Sequence, residues 1–123
     1  MSNKLYVGTG IADITPTQDM LPMKRNAPSG GTLYGVIDHL FVRAISVMAG
    51  SQKFLLITFD LGGAPNPGKN LAAITEKTGI PEENIFFMGT HAHAAPPAGM
   101  RMGDADNRTE AMIAYEALVE EQM

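Results

Sequence analysis

The sequence predicts an α/β fold with a mixed sheet, in which a β-hairpin is followed by a right-handed β-α-β unit. Three observations lead to this prediction: two strand-like runs around Gly50 and Ser51, a helix-spaced segment from Pro67, and a short apolar run at 85–88. The 123 residues, 45% of them apolar, are enough for one domain with a sizeable core and too few for two. We therefore expect one globular unit.

The first predicted elements are a strand, a loop and a hairpin. Residues 5–14 mix β-forming and small residues and stop at a Thr-Pro pair, where proline disfavours a continuing central strand. In residues 17–35 the apolar side chains follow neither the helical nor the strand period, and Pro, Gly and Ser are frequent. This predicts a long loop and a candidate rim or lid of the site. The runs 39–49 and 53–60 are rich in β-branched and aromatic residues and flank a glycine-containing turn, which predicts the hairpin.

The β-α-β unit starts with the second arm of the hairpin. Residues 54–59 lack any alternation of apolar and polar side chains, so we expect both faces of this strand to be covered. Pro67 opens and Gly79 closes a segment with apolar residues at helical spacing, which predicts a helix of about three turns. The run 85–88 then predicts a second buried strand, parallel to the first and reached by a right-handed crossover.

The C-terminal segment predicts a further helix. Asn107 followed three positions later by Glu110 is typical of a capping box, and an apolar stripe comes after it. The stripe consists of Ala111, Met112, Tyr115, Leu118 and Val119. The segment closes on two glutamates, an unfavourable charge for a helix C-terminus, without a glycine cap. We therefore expect the fold to be incomplete at the C-terminus, with residues 1–123 as the front portion of a larger domain.

Composition excludes several classes of protein. The net charge is −4 and the nine Lys and Arg residues are scattered, so a nucleic acid is not an expected partner. The chain has no cysteine, so a metal would be held by His, carboxylate, Tyr or backbone oxygen. The absence of an apolar targeting region and of about 18 consecutive apolar residues predicts a cytoplasmic chain without a transmembrane segment, or a secreted one if a leader was removed.

The candidate site consists of Asp60 and the pair His91 and His93. They follow the carboxyl ends of the two strands of the β-α-β unit, which is where open α/β sheets bind ligands. Alternate residues of an extended segment point to one side with Cα atoms about 7 Å apart, so both imidazoles can converge on one metal ion or one reacting group. Gly62 and Gly63 would let the backbone approach closely, which makes them candidate substrate contacts.

The same residues also have structural interpretations. A His-x-His pair can stabilise a loop, and Asp60 can start a turn before two glycines, alone or together with a catalytic role. Asp13 and Asp38 are interpreted as caps or turn acids, and His39, at a strand entrance, as structural. Arg43, inside a strand, is either solvated or the partner of a buried carboxylate.

Methionines occur in the two loops that should flank the site. Met20 and Met23 lie in the first of these loops, and Met100 and Met102 lie in the second. Flexible thioethers suit an apolar substrate groove, and ordinary loop packing is the alternative.

Five blocks of the sequence carry a resemblance to a known family. They are residues 8–16 (GTGIADITP), 35–44 (GVIDHLFVRA), Asp60, 78–81 (TGIP) and 89–96 (GTHAHAAP). In this order they resemble the N-terminal part of the catalytic domain of the neutral/alkaline, non-lysosomal ceramidase family, over about residues 6–97. A lone His-x-His is a weak signal, whereas five blocks in the order of the family are specific.

This resemblance implies a zinc-dependent amidase domain. His91 would be a zinc ligand, His93 would contact the substrate or transition state, and Asp60 would orient a group next to the metal. Zinc would activate water to attack a small-molecule or lipid amide. The other zinc ligands of the family lie in a domain several times longer, so the isolated chain is expected to be inactive. Ceramidases proper tend to have Thr, Ser and Gly in the motif that here contains Ala and Pro, which leaves the substrate open.

Two other interpretations compete with this one. A His-x-His metallohydrolase of the amidohydrolase barrel kind would use both histidines as ligands, but the opening hairpin argues against such a barrel. A non-catalytic binding or self-assembling module would obtain its missing sheet partners from a second copy of the chain and form a homo-oligomer.

Overall fold

The computed structural model describes residues 4–25, 30–98 and 108–123. The strands are β1 (Leu5–Asp13), β2 (Met23–Lys24), β3 (Thr32–Leu33), β4 (Phe41–Ala49), β5 (Gln52–Phe59) and β6 (Ile85–Gly89), and the helices are α1 (Pro67–Thr78) and α2 (Glu110–Gln122). The main sheet has the order β1-β4-β5-β6, with antiparallel pairs except for the parallel pair β5-β6. The predicted α/β fold with a mixed sheet is confirmed.

The hairpin that joins β4 to β5 turns at Gly50 and Ser51. Ala49 pairs with Gln52, so the connection contains two residues. Gly50 has a φ of 59°, in the left-handed region that two-residue hairpin turns require at their first position and that glycine adopts without steric cost. The turn therefore fixes the register that brings Val42 opposite Phe59 at the other end of the hairpin.

The connection from β5 to β6 contains α1, as predicted. Pro67 occupies the start of the helix, where backbone N–H groups have no partner within the helix, so the N–H that proline lacks costs no hydrogen bond. Gly79 has a φ of 70°, and its N–H donates to the Thr75 carbonyl at 2.9 Å, which closes the helix. The chain then enters β6, where Ile85 pairs in parallel with Leu55.

The C-terminal helix α2 begins later than the sequence suggested. Its N-cap is Thr109, whose hydroxyl accepts a hydrogen bond from the Met112 N–H at 3.2 Å. The prediction that Asn107 is the N-cap is wrong, and Asn107 itself lies outside the described residues. Thr109 is the N-cap because it offers an equivalent side-chain oxygen directly before the first turn. Within the described ranges, no helix is both long and apolar enough to cross a bilayer.

The two helices lie side by side and cover one face of the sheet. Lys69 of α1 forms an ion pair with Glu120 of α2 at 2.9 Å, and Asn66, just before α1, donates to Glu116. The core cluster combines alternate residues of β5 with side chains from both helices: Leu55, Ile57, Phe59, Ile74, Tyr115 and Val119. Because both helices are on this face, the core forms there.

The predictions that both faces of β5 are covered and that β6 is a buried strand are wrong for the described residues. Cross-strand partners place one apolar row on the face away from the helices, including Ile45, Leu56 and Phe86. Large side chains on this open face are exposed: Val7 58%, Ile11 65%, Ile45 42%, Phe54 41%, Phe86 60% and Met88 43%. The apolar composition of β5 therefore correctly predicted that the helices cover one of its faces. The described residues leave the other face, which we call the open face, uncovered.

The segment 17–35 contains more regular structure than a long loop. A 3-10 turn (Gln18–Met20) is followed by β2, which pairs with β3 in a small antiparallel sheet. Gly30 and Gly31 have φ values of 71° and 114°, which lets the chain return tightly before β3. The strands are too short to show a period in the sequence, which is why the loop prediction failed there.

Candidate functional site

One edge of the main sheet gathers the candidate residues. β1, β5 and β6 run in the same direction and β4 runs against them, so three strand ends meet the start of β4 at this edge. Asp13 ends β1, Asp60 follows β5, His39 precedes β4, and His91 and His93 follow β6. We call this edge the site edge; it carries all three histidines of the chain.

His91 and His93 lie next to each other in the loop after β6. Their ring centroids are 4.7 Å apart with an angle of 53° between the planes, and both residues are exposed. His91 has a φ of 66°, in the left-handed region that residues other than glycine rarely adopt. Such a conformation persists when its surroundings enforce it, and it is enriched at functional sites. The structure thus brings the two imidazoles together in a strained loop.

Two backbone hydrogen bonds flank His91. The Thr90 N–H donates to the Phe59 carbonyl at 2.8 Å, and the Ala92 N–H donates to the Leu61 carbonyl at 3.2 Å. These bonds continue the parallel β5-β6 pairing past the last strand residues. The conformation of the histidine loop therefore depends on where the chain runs after β5.

The same two loops touch through their glycines. A Cβ added at Gly89 would lie 2.7 Å from the Gly63 Cα, closer than real Cβ atoms approach other atoms. The close approach expected for Gly63 is thus present, and the backbone that it meets is that of β6. Gly62 is half-buried beside it. Contact of Gly62 and Gly63 with a substrate stays a prediction.

Asp60 is held by β4. Its Oδ2 accepts hydrogen bonds from the Phe41 N–H at 3.0 Å and from Arg43 Nη1 at 2.7 Å, and its own N–H donates to the Phe41 carbonyl at 2.9 Å. Among the described residues, no hydrogen bond joins Asp60 to His91 or His93. Arg43 combines the two foreseen roles in part: it is exposed, and it pairs with a carboxylate, that of Asp60, which is half-buried and not buried. Sequence reasoning missed this pairing because 17 residues separate the two side chains.

Asp13 and His39 form a second polar cluster at the site edge. Asp13 accepts from the Thr15 N–H at 2.8 Å, and its other oxygen lies 2.6 Å from His39 Nδ1. The hydrogen bonds from Thr15 and His39 lower the pKa of Asp13 to about 2, which keeps its carboxylate charged. This geometry agrees with the interpretation of Asp13 as a turn acid.

The predicted methionine groove is described in part. Met23 is 3% exposed and belongs to the core, and Met20 is half-buried and packs against it. Met100 and Met102 lie outside the described residues. Substrate contacts of Met20 and Met23 stay predictions.

The histidine pair alone does not make a complete zinc site. Within the described ranges, no group of three or more His, Asp or Glu side chains is arranged to hold a metal ion. A catalytic zinc takes three protein ligands and keeps a fourth position open. His91 offers one nitrogen donor next to His93, so a zinc site with His91 as a ligand would need two more protein ligands.

The fold of this chain is similar to that of proteins of known structure. No protein family model matches the sequence. Neutral ceramidase from Pseudomonas aeruginosa is similar with a TM-score of 0.72, and a ceramidase complexed with C2 is similar with a TM-score of 0.70. Each is 19% identical over 99% of this chain and 21% of the solved chain, so this chain spans about a fifth of their length. The resemblance predicted from the sequence is confirmed at the level of structure: the chain has a ceramidase-like α/β fold.

Proposed function

We propose that this chain supplies part of the active site of a ceramidase-like, zinc-dependent amide hydrolase. The observation that carries the proposal is the pair of exposed imidazoles, 4.7 Å apart at the carboxyl end of β6, on a fold shared with two solved ceramidases. The left-handed backbone at His91, with a φ of 66°, supports it, because residues other than glycine held in this region are enriched at functional sites.

In this proposal the two histidines have different roles. His91 is a zinc ligand, and His93 contacts the amide of the substrate as charge develops on the carbonyl oxygen. Bound zinc would supply Lewis acidity and lower the pKa of water at the site. The remaining ligands would come from residues beyond those described. Asp60 orients the site, and an N-acyl small-molecule or lipid amide is the substrate class, with Met20, Met23, Gly62 and Gly63 as its predicted contacts.

Replacing His91 is expected to weaken zinc binding about tenfold or more, a loss of at least ~1.4 kcal/mol. The measurement is calorimetric titration of Zn²⁺ into the wild-type chain, His91→Ala and His93→Ala at neutral pH. The matched control is His39→Ala, because His39 is also exposed at the site edge but bonds Asp13 instead of pairing with another histidine. This control should bind zinc with the wild-type affinity.

Two results would contradict the proposal for His91. One is an equal zinc affinity in wild type and His91→Ala, and the other is a loss in His39→Ala as large as that in His91→Ala. If wild type itself fails to bind zinc, the pair is not a preformed metal site.

A second candidate function is a non-catalytic, self-assembling module. The open face of the sheet favours it, since its exposed side chains come from all four strands and form one apolar surface. Soluble monomers rarely expose a contiguous apolar patch of more than a few hundred Å². In this candidate the occupant of the face is the same face of a second copy, related by twofold symmetry.

Light scattering across a range of concentrations separates the two candidates. If the module forms, wild type is a dimer, and Ile11→Glu and Phe86→Glu, at two highly exposed positions on opposite sides of the open face, are monomers. Ile113→Glu is the matched control, because Ile113 is 52% exposed but lies on α2, away from this face. A monomeric wild type, or dissociation of the control as well, would exclude association through the open face.

A further inference from the structure

We infer that Arg43 is a positioning residue for the histidine pair, acting through Asp60 and the chain that follows β5. The inference rests on the proposed function for its effect on zinc, whereas its structural part concerns this chain alone. Arg43, Asp60 and the backbone of Phe41 form a connected unit, which we call the Arg43–Asp60 brace.

The brace ties the end of β5 to β4 by three hydrogen bonds. Asp60 Oδ2 accepts both from Arg43 Nη1 at 2.7 Å and from the Phe41 N–H at 3.0 Å, and the Asp60 N–H returns a bond to the Phe41 carbonyl at 2.9 Å. The Arg43 guanidinium also lies 5.0 Å from the centre of the Phe41 ring. The Asp60 side chain is 23% exposed and that of Arg43 is 46% exposed, so the carboxylate is partly shielded from water while the guanidinium faces it.

The residues on either side of Asp60 hold the histidine loop. Phe59, directly before it, accepts from the Thr90 N–H, and Leu61, directly after it, accepts from the Ala92 N–H. Asp60 therefore lies between the two carbonyls that fix the backbone before and after His91. A shift of Asp60 would move both acceptors together.

The left-handed backbone of His91 depends on these two acceptors. With a φ of 66°, His91 has lower-energy alternatives elsewhere in its conformational space, and its neighbours must hold it in place. When the brace is released, the acceptors lose their fixed positions and His91 is free to relax toward negative φ. Its imidazole would then turn away from that of His93. Among the described residues, no hydrogen bond or ion pair joins Arg43 to His91 or His93, so its effect is one of position.

The test measures the metal-free chain first. In Arg43→Gln, which keeps much of the stem but removes the charge, hydrogen exchange of the Thr90 and Ala92 amides should accelerate about tenfold or more relative to central amides of β4 and β5. The imidazole NMR signals of His91 and His93 should shift. Arg43→Lys, which keeps the charge, should restore part of the protection. Lys69→Met, which removes the exposed Lys69–Glu120 ion pair, is the control and should leave these amides unchanged.

Zinc titration of the same variants then connects the brace to the proposed site. We expect Arg43→Gln to bind zinc about tenfold more weakly and Lys69→Met to bind as wild type does. Unchanged exchange at Thr90 and Ala92 in Arg43→Gln, or equal acceleration of all amides, would overturn the inference. If wild type binds no zinc, the histidine pair is not a preformed metal site, while the exchange data still decide on the brace. Should Arg43→Gln not fold, Asp60→Asn, which keeps an acceptor for Phe41, replaces it.

Discussion

Gly89→Ala is expected to destabilise the protein by about 2–3 kcal/mol and to displace the histidine loop. The new Cβ would meet three backbone atoms of Gly63 at 2.7–2.8 Å. Backbone atoms cannot swing aside as the end of a side chain can, so the segments 60–63 and 89–93 must separate. Urea unfolding measures the loss of stability, and the NMR signals of His91 and His93 report the displacement.

The chain offers two matched controls for this substitution. A Cβ added at Gly63, on the other side of the same contact, or at Gly10, inside β1, has nothing within 4 Å. Gly63→Ala and Gly10→Ala should therefore stay within about 1 kcal/mol of wild type. A Gly89→Ala protein as stable as these two, with unchanged histidine signals, would show that the two loops are not held in contact.

Tyr115→Ala is expected to cost about 3–5 kcal/mol, because it removes a fully buried aromatic ring from the core. Tyr115 extends from α2 to the far end of β1, where its hydroxyl donates to the Ile14 carbonyl at 2.7 Å. Burial and the nearby charges of Asp13 and Asp60 raise the pKa of Tyr115 above its ordinary value, so the phenol keeps its proton and remains a donor. The measurement is the free energy of unfolding in urea.

Tyr115→Phe separates the ring from its hydrogen bond. It keeps the packing and leaves the Ile14 carbonyl without this donor, which should cost about 1–3 kcal/mol. Tyr34→Phe is the control, because Tyr34 is 77% exposed and water solvates its hydroxyl in both the folded and the unfolded protein. If Tyr115→Phe were as stable as this control, the anchoring of α2 to β1 would depend on packing alone.

Local patterns in the sequence predicted much of the fold. The two-residue hairpin at Gly50, the helix between Pro67 and Gly79, and the strand after it are all set by turn chemistry and by side-chain periods within short segments. The histidine pair was predicted in the same way, since its place after a strand needs no distant information. Predictions failed for three reasons: a second cap residue was available close to the predicted one at α2, β2 and β3 are too short to show a period, and the cover of β5 depends on distant segments.

The connections of the candidate site lay beyond the reach of sequence patterns. Arg43 and Asp60 come together because the hairpin folds β4 against β5, and nothing in either segment alone specifies the pair. Tyr115 and Ile14 are 101 positions apart and meet across the core. Such contacts depend on how whole elements pack against each other, and the spacing of residues along a single sequence does not reveal that packing.

The sequence by itself determined that the chain is an α/β protein with two histidines after a short strand, because backbone propensity, turn residues and apolar periods act over a few residues. Only the tertiary structure decided that His91 adopts a left-handed conformation, that Asp60 bonds β4 instead of a histidine, and that the described residues leave one sheet face open. These features arise from packing between distant segments, where the free energy of many contacts outweighs local preference.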